Sequence, residues 1–151
     1  MMALYSTGFL SSFSDAEILF LKSTLLLKNM NVLLVIAHGS RRDESNLEIE
    51  SLTNKIASFN TKEFDVVMPA FLEFAEPSIV EAIQKCSDIG AKKVTVLPYF
   101  LSAGVHITRD IPGEIAKASK NNPNLKIKIA NYFGSRDEIA EILIKTALDI
   151  K

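Results

Sequence analysis

The chain reads as a three-layer αβα domain built on a four-stranded parallel sheet in the order 2-1-3-4. Three observations point there. From Met30 onward, short apolar runs alternate with segments of helical period, as repeated strand–helix units do. The first and third runs, Val32–Ala37 and Val94–Leu97, are the most continuously apolar, as strands covered on both faces are, and so belong in the middle of the sheet. Both histidines of the chain, His38 and His106, fall in the connections that follow these two runs. In an open α/β sheet that end, at the point where the strand order reverses, is where ligands bind.

The elements follow in order. Strand one is Asn31–Ala37, and His38-Gly39-Ser40-Arg41 comes directly after it. Helix one spans about Asp43 to Phe59, with Ile49, Leu52, Ile56 and Phe59 on one face and Asp43 and Glu44 in the first turn, where carboxylates oppose the helix dipole. Strand two is Phe64–Ala70. Helix two starts near Pro77, buries Ile79, Ile83 and Cys86, and ends at Gly90 as its C-terminal cap. Strand three is Lys93–Tyr99. The segment Ser102-Ala103-Gly104 and then His106 form a loop, and Asp110 and Pro112 mark the start of helix three, about Ile111 to Lys120. Strand four, Leu125–Ala130, alternates Leu125, Ile127 and Ile129 against Lys126 and Lys128, as a half-exposed edge strand does. Helix four follows Ser135, whose spacing to Glu138 is that of a capping box, and Ile139, Ile142, Leu143 and Ala147 form its apolar face.

Residues 1–29 differ from the rest. They hold Ser/Thr-rich patches and an apolar run, Ile18–Leu27, interrupted by Lys22 and too short to span a bilayer. No basic residue precedes Lys22, unlike a secretory leader, and the segment has no arginine, unlike a transit peptide. The segment is read as an extension that the domain at 30–151 does not need, or as a start assigned too far upstream; the sharper alternative is an added helix over Asp15–Leu27.

With 151 residues, 48% of them hydrophobic and 23% charged, the chain can bury one real core. The formal net charge of −1 argues against a nucleic-acid or acidic-membrane partner. A single cysteine, Cys86, excludes an internal disulfide and a cysteine zinc cluster, and fits a reducing, cytoplasmic setting. No Walker loop and no Gly-x-Gly-x-x-Gly fingerprint is present, so no nucleotide cofactor is expected. No Gly-x-Ser-x-Gly elbow supports a hydrolase.

The chemistry-bearing residues gather at one end of the expected sheet. One loop histidine is ordinarily incidental; two at the same end of a sheet invite a shared role. A neutral imidazole suits divalent iron, cobalt, nickel or zinc, and serves as a base near neutral pH. Glu73, after strand two and flanked by Leu72 and Phe74, is costly there unless exposed or paired. His38, His106 and Glu73 thus make a mixed set for a loosely held transition metal. Glu76 precedes Pro77 and has an ordinary role at a helix start. Arg41, Arg42 and Arg109 either pair with Asp43 and Asp110 or form a basic rim for an anionic ligand.

Taken together, His38-Gly39-Ser40-Arg41, Phe71-Leu72-Glu73 with Pro77, and Leu97-Pro98-Tyr99-Phe100-Leu101 through Gly104-Val105-His106 resemble the class II tetrapyrrole chelatases, and among them the short CbiX-type sirohydrochlorin chelatases. The resemblance covers about Met30 to Leu148. It implies a chelatase-like fold and ATP-independent insertion of a divalent metal into sirohydrochlorin, cobalt first, with iron or nickel as alternatives. These metals belong to cobalamin, siroheme and coenzyme F430 routes respectively. The family's metal-handling histidines fall on His38 and His106 and its acidic residue on Glu73, which also makes these three the catalytic candidates. The ring's eight carboxylates give Arg41, Arg42 or Arg109 a use, and Phe71, Tyr99 and Phe100 supply apolar surface. Ser40, Ser102 and Gly104 complete the substrate-facing candidates. Longer relatives fuse two such domains, so the resemblance implies a homodimer here. The segment before Met30 and the lack of a histidine-rich tail are departures that leave the motifs untouched. A carrier that binds metal or tetrapyrrole without turnover needs the same groove and ligands and stands as the alternative.

Overall fold

The computed structural model describes residues 29–59 and 61–149. Four strands, β1 (Asn31–Ala37), β2 (Val66–Phe71), β3 (Lys93–Pro98) and β4 (Lys126–Ile129), form one sheet in the order β2-β1-β3-β4. Every pairing is parallel, with Val35 opposite Pro69 on one side and Leu97 on the other. The four helices are α1 (Asp43–Ser58), α2 (Ile79–Asp88), α3 (Ile111–Asn121) and α4 (Ile139–Leu148). The expected strand order and αβα layering are both present.

β1 is buried on both faces, while β3 alternates buried with half-buried or exposed positions. Val32, Leu34 and Ile36 of β1 meet Val94 and Val96 of β3 in the larger core, which also takes in Ile79, Ile83 and Cys86 of α2 and Ile111 and Ile115 of α3. Leu33, Val35 and Val67 point to the other face, where Ile56 and Ala57 of α1 pack with Leu97. A strand buried on both faces must be apolar at consecutive positions, which is how Val32–Ala37 reads. Cys86 lies in that core with its sulfur 3.6 Å from the Met68 sulfur, and burial pushes its thiol up to about 12.

Gly90 ends α2 as expected. Its φ is +84°, its N–H donates to the Ser87 carbonyl at 2.9 Å, and the Ala91 N–H reaches back to the Cys86 carbonyl at 3.0 Å, the paired bonds of a Schellman cap. The expected capping box at Ser135 is absent. Ser135 lies in a 3₁₀ turn, Phe133–Ser135, and its hydroxyl donates to the Tyr132 carbonyl; the Glu138 carboxylate pairs with Arg136. A capping box forms instead at α2. Ser78 is extended (φ −63°, ψ 165°), its hydroxyl accepts from the Glu81 N–H, and its own N–H donates to Glu81 Oε2 at 2.8 Å. Helix α2 therefore begins after Ser78, two residues beyond the expected start at Pro77; the Glu76–Pro77 peptide is cis.

Two apolar faces differ from the sequence reading. Phe59 is exposed at the end of α1, and Thr53 is the buried residue of that helix. None of α4's residues is buried, and Ile142, Leu143, Ile144 and Leu148 all lie exposed. The Asp15–Leu27 helix considered above lies outside the described residues. No helix among the described residues is long and apolar enough to cross a membrane.

Candidate active site

The chain leaves β1 toward β2 and leaves β3 toward β4, so a crevice opens between the C-terminal ends of β1 and β3. Pairing persists to its lip: the Tyr99 N–H donates to the Ile36 carbonyl at 2.8 Å. His38 follows β1 without an intervening residue. His106 arrives from the other side, and the two imidazole centroids lie 5.0 Å apart, nearly edge to face at 72°. The structure thus brings together two side chains separated by 68 positions in the sequence, taking 106 − 38.

Each histidine is held by its own element. On the His38 side, Gly39 turns the chain with a φ of +88°, and a Cβ built there would sit 1.8 Å from the Glu73 carbonyl oxygen. Only glycine allows that approach. The Glu73 N–H donates to the His38 carbonyl at 2.9 Å and the Leu72 N–H to the Ala37 carbonyl at 3.0 Å, so the loops after β1 and β2 are zipped together. His38 Nδ1 lies 3.1 Å from the Gly39 carbonyl. Ser40 is fixed by Asn46, which accepts from the Ser40 N–H and donates to its carbonyl.

His106 does not lie in an open loop. It begins a π-helical turn, His106–Asp110, that runs directly into α3. Gly104 starts this turn, its carbonyl accepting from the Ile107 and Thr108 N–H groups and the Thr108 hydroxyl. Asp110 is therefore no helix cap: it makes no side-chain cap bond. Instead it accepts from His106 Nδ1 on Oδ2 and from Arg109 Nε on Oδ1, both at 2.9 Å. The Arg109 guanidinium first, and His106 second, hold the Asp110 carboxyl below the usual carboxylate range.

The remaining candidates divide. Arg41 is exposed, with its guanidinium 4.8 Å above the Phe74 ring. Tyr99 is partly exposed and packs on Phe133 at 5.5 Å; Phe100 lies 6.2 Å from His106. Ser102 and Gly104 are exposed on the loop before His106. Arg109 is spoken for by Asp110, although its side chain remains 75% exposed. Phe71 is a correction: strand β2 runs one residue further than expected, and the pleat buries the ring, leaving 1% exposed, so it offers no surface to a ligand. Glu73 is exposed. Among the described residues no group of three His, Cys, Asp or Glu side chains is gathered closely enough to hold a metal ion. The two histidines are adjacent, and Glu73 stands outside any preformed cage with them.

Two residues at the site escaped the sequence reading. Phe74 has a φ of +60°, unusual for an aromatic residue, and presents an exposed ring 6.1 Å from His38. Its place beside Glu73 was the available signal. Asp110 was legible as a helix start and as a partner of Arg109, a pair the structure contains; its four-residue spacing from His106 becomes a contact once the helical turn begins at His106.

This is an α/β fold with a two-histidine crevice at its switch point, the arrangement of a chelatase-type domain. The CbiX family model matches residues 32–149, and the chain belongs to that family. It is 37% identical over 112 residues to the chloroplastic sirohydrochlorin ferrochelatase of Arabidopsis thaliana, covering 74% of this chain and 48% of that protein. It is 36% identical over 110 residues to the sirohydrochlorin cobaltochelatase of Sulfurisphaera tokodaii, covering 73% of this chain and 85% of that one. The sirohydrochlorin chelatase SirB of Bacillus subtilis subspecies spizizenii, solved in complex with cobalt, superposes with a TM-score of 0.71 at 27% identity, over 80% of this chain and 51% of SirB. The chain thus spans about half the length of the Arabidopsis relative and of SirB.

Proposed function

We propose that this protein inserts a divalent metal into sirohydrochlorin without ATP, with cobalt as the first candidate and iron or nickel as alternatives. The observation that carries this reading is the pair of imidazoles 5.0 Å apart in the switch-point crevice of a CbiX-family chain. Metal and free-base ring are the substrates; the metallated ring and two protons are the products. The site must therefore accept protons near neutral pH and hold the metal weakly enough to give it up. Two neutral imidazoles meet both needs, whereas a closed thiolate cage holds its ion. A carrier needs the same crevice and ligands, so turnover is what separates the two readings.

His38 and His106 handle the metal and the pyrrole protons, with Glu73 as the acidic partner on the adjoining loop. Arg41, Arg42 or Arg109 meets the ring's carboxylates, and the exposed Phe74 and Tyr99 rings offer apolar surface. Ser40, on the loop after His38, and Ser102 and Gly104, on the loop before His106, are the further substrate-facing candidates. We assign the protein to the cytoplasm on its single, unpaired cysteine.

The active form is proposed to be a homodimer. One crevice covers one side of a broad ring, and ligand sites bury most of their ligand. The match to half of SirB and the exposed apolar residues of α4 support a second copy. Sedimentation at micromolar concentration tests it, and a fully active monomer with and without sirohydrochlorin rules it out. For the activity itself, sirohydrochlorin is incubated with metal and limiting protein. Many metallated rings per protomer are expected; at most about one identifies a carrier. His106→Ala is expected to lower turnover on the order of 10²–10⁴-fold. A variant keeping more than about half of wild-type turnover removes His106 from the mechanism.

A further inference from the structure

The imidazole of His106 has two nitrogens, and the fold has already committed one of them. Nδ1 lies 2.9 Å from Asp110 Oδ2. An ionised carboxylate can only accept, so in neutral His106 the proton sits on Nδ1 and the lone pair on Nε2. The other oxygen of Asp110, Oδ1, accepts from Arg109 Nε, also at 2.9 Å. The carboxylate is thus oriented by one neighbour while it orients the other. The contact is built into the backbone: both residues lie on the π-helical turn His106–Asp110, a rare geometry that recurs at functional sites.

We propose that Asp110 is a positioning residue for metal handling, holding His106 in the Nδ1–H form so that Nε2 presents its lone pair to the metal. Arg109 takes part by fixing which carboxylate oxygen is left for His106. The inference rests on the reading of His106 as a metal-handling residue. Partners of this kind, standing behind a histidine ligand, typically change metal affinity about 10–100-fold when removed.

The arrangement makes an unusual demand on Asp110→Asn. Arg109 Nε can only donate, so it claims the single oxygen of the new amide. The amide NH₂ then faces Nδ1, which must accept, and the proton moves to Nε2, taking away the lone pair. Removing Arg109 as well lets the amide turn over and present its oxygen to Nδ1–H.

The experiment uses the full chain. Histidine tautomers are read by ¹⁵N NMR without metal, and Co²⁺ alone is titrated by visible absorption. Wild-type His106 is expected as Nδ1–H. Asp110→Asn should shift it to Nε2–H and weaken Co²⁺ binding by about 10–100-fold. Asp110→Asn combined with Arg109→Ala should restore the Nδ1–H form and recover much of the affinity. A merely structural role for Asp110 predicts no such rescue. An Nε2–H tautomer in the wild type overturns the proposal without any variant, as does an Asp110→Asn protein with unchanged tautomer and Co²⁺ affinity, or a double variant that stays Nε2–H. The tautomer readout needs neither metal nor sirohydrochlorin, so it fails independently of the chelatase reading, which turnover tests.

Discussion

Gly39→Ala isolates the contact that locks two site loops together. Gly39 and Gly90 have nearly the same backbone, with φ of +88° and +84°. They differ in surroundings: a Cβ at Gly39 meets the Glu73 carbonyl oxygen at 1.8 Å, while at Gly90 nothing lies within 4 Å. Alanine at Gly90 should therefore cost only the left-handed backbone, about 1–2 kcal/mol. At Gly39 the same cost applies. The Glu73 loop must also withdraw, losing the 2.9 Å bond from the Glu73 N–H to the His38 carbonyl, worth about 0.5–1.5 kcal/mol. Overpacking against backbone adds roughly 1–3 kcal/mol. The expected loss at Gly39 is then roughly 3–6 kcal/mol, against a typical domain stability of about 5–15 kcal/mol. Urea unfolding of both variants beside the wild type measures the difference. Turnover should fall with Gly39→Ala, because the residue that moves is next to His38, and should survive Gly90→Ala. Equal stability losses at the two positions would refute the reasoning, since they would mean that the loops part without resistance.

Glu73→Gln keeps the shape and removes the charge; the apparent metal affinity should fall more than the tetrapyrrole affinity, and the reverse pattern moves Glu73 to the substrate pocket. Ser78→Ala should destabilise the fold by about 1 kcal/mol at neutral pH through loss of the α2 cap. The Ser78 backbone N–H, then its hydroxyl, hold the Glu81 carboxyl below its ordinary value, so this linkage stabilises above the ordinary glutamate range and fades as pH falls through the lowered value. The gap between wild type and Ser78→Ala should narrow in acid without closing, because the variant keeps the backbone N–H at position 78 and the wild type keeps the bond from the Glu81 N–H to its hydroxyl; a gap independent of pH counts against the hydroxyl–carboxylate bond. Cys86, buried with its thiol pushed up to about 12, should resist alkylation at neutral pH until urea unfolds the chain; rapid labelling of native protein contradicts the core placement. A chain beginning at Met30 should fold and insert metal as the full chain does, and loss of solubility would give residues 1–29 a packing role.

The local features of this sequence carried most of the fold. Consecutive apolar residues in Val32–Ala37 mark a strand covered on both faces, as β1 is in the middle of the sheet, although β2 at the edge is buried at every position as well. Gly90 was readable as a cap because a left-handed residue at a helix end is a backbone requirement. With β1 and β3 central, the switch point and the two histidines beside it followed from topology. Where the same local pattern stands ahead of both α2 and α4, the sequence did not discriminate. Ser78 and Ser135 both stand three residues before a glutamate. Only Ser78 caps a helix, because β2 holds it extended: the Phe71 N–H donates to the Pro77 carbonyl and Phe71 bridges Ser78.

What the tertiary structure alone decided is the direction of side chains at element ends. One more residue of β2 buried Phe71, since successive strand residues point to opposite sides and the last one is fixed by where pairing stops. One earlier start to the helix at the crevice turned Asp110 from a cap into the partner of His106. Pairing of β1 with β2 brought Gly39 under the Glu73 carbonyl and set Phe74 beside His38. Hydrophobic period records which face of an element is buried, and it does so here for β1, β2 and β3, whereas in the edge strand β4 the last apolar residue, Ile129, lies exposed. It carries no information on where an element stops to within one residue, and at this site one residue separates a buried ring from an exposed one.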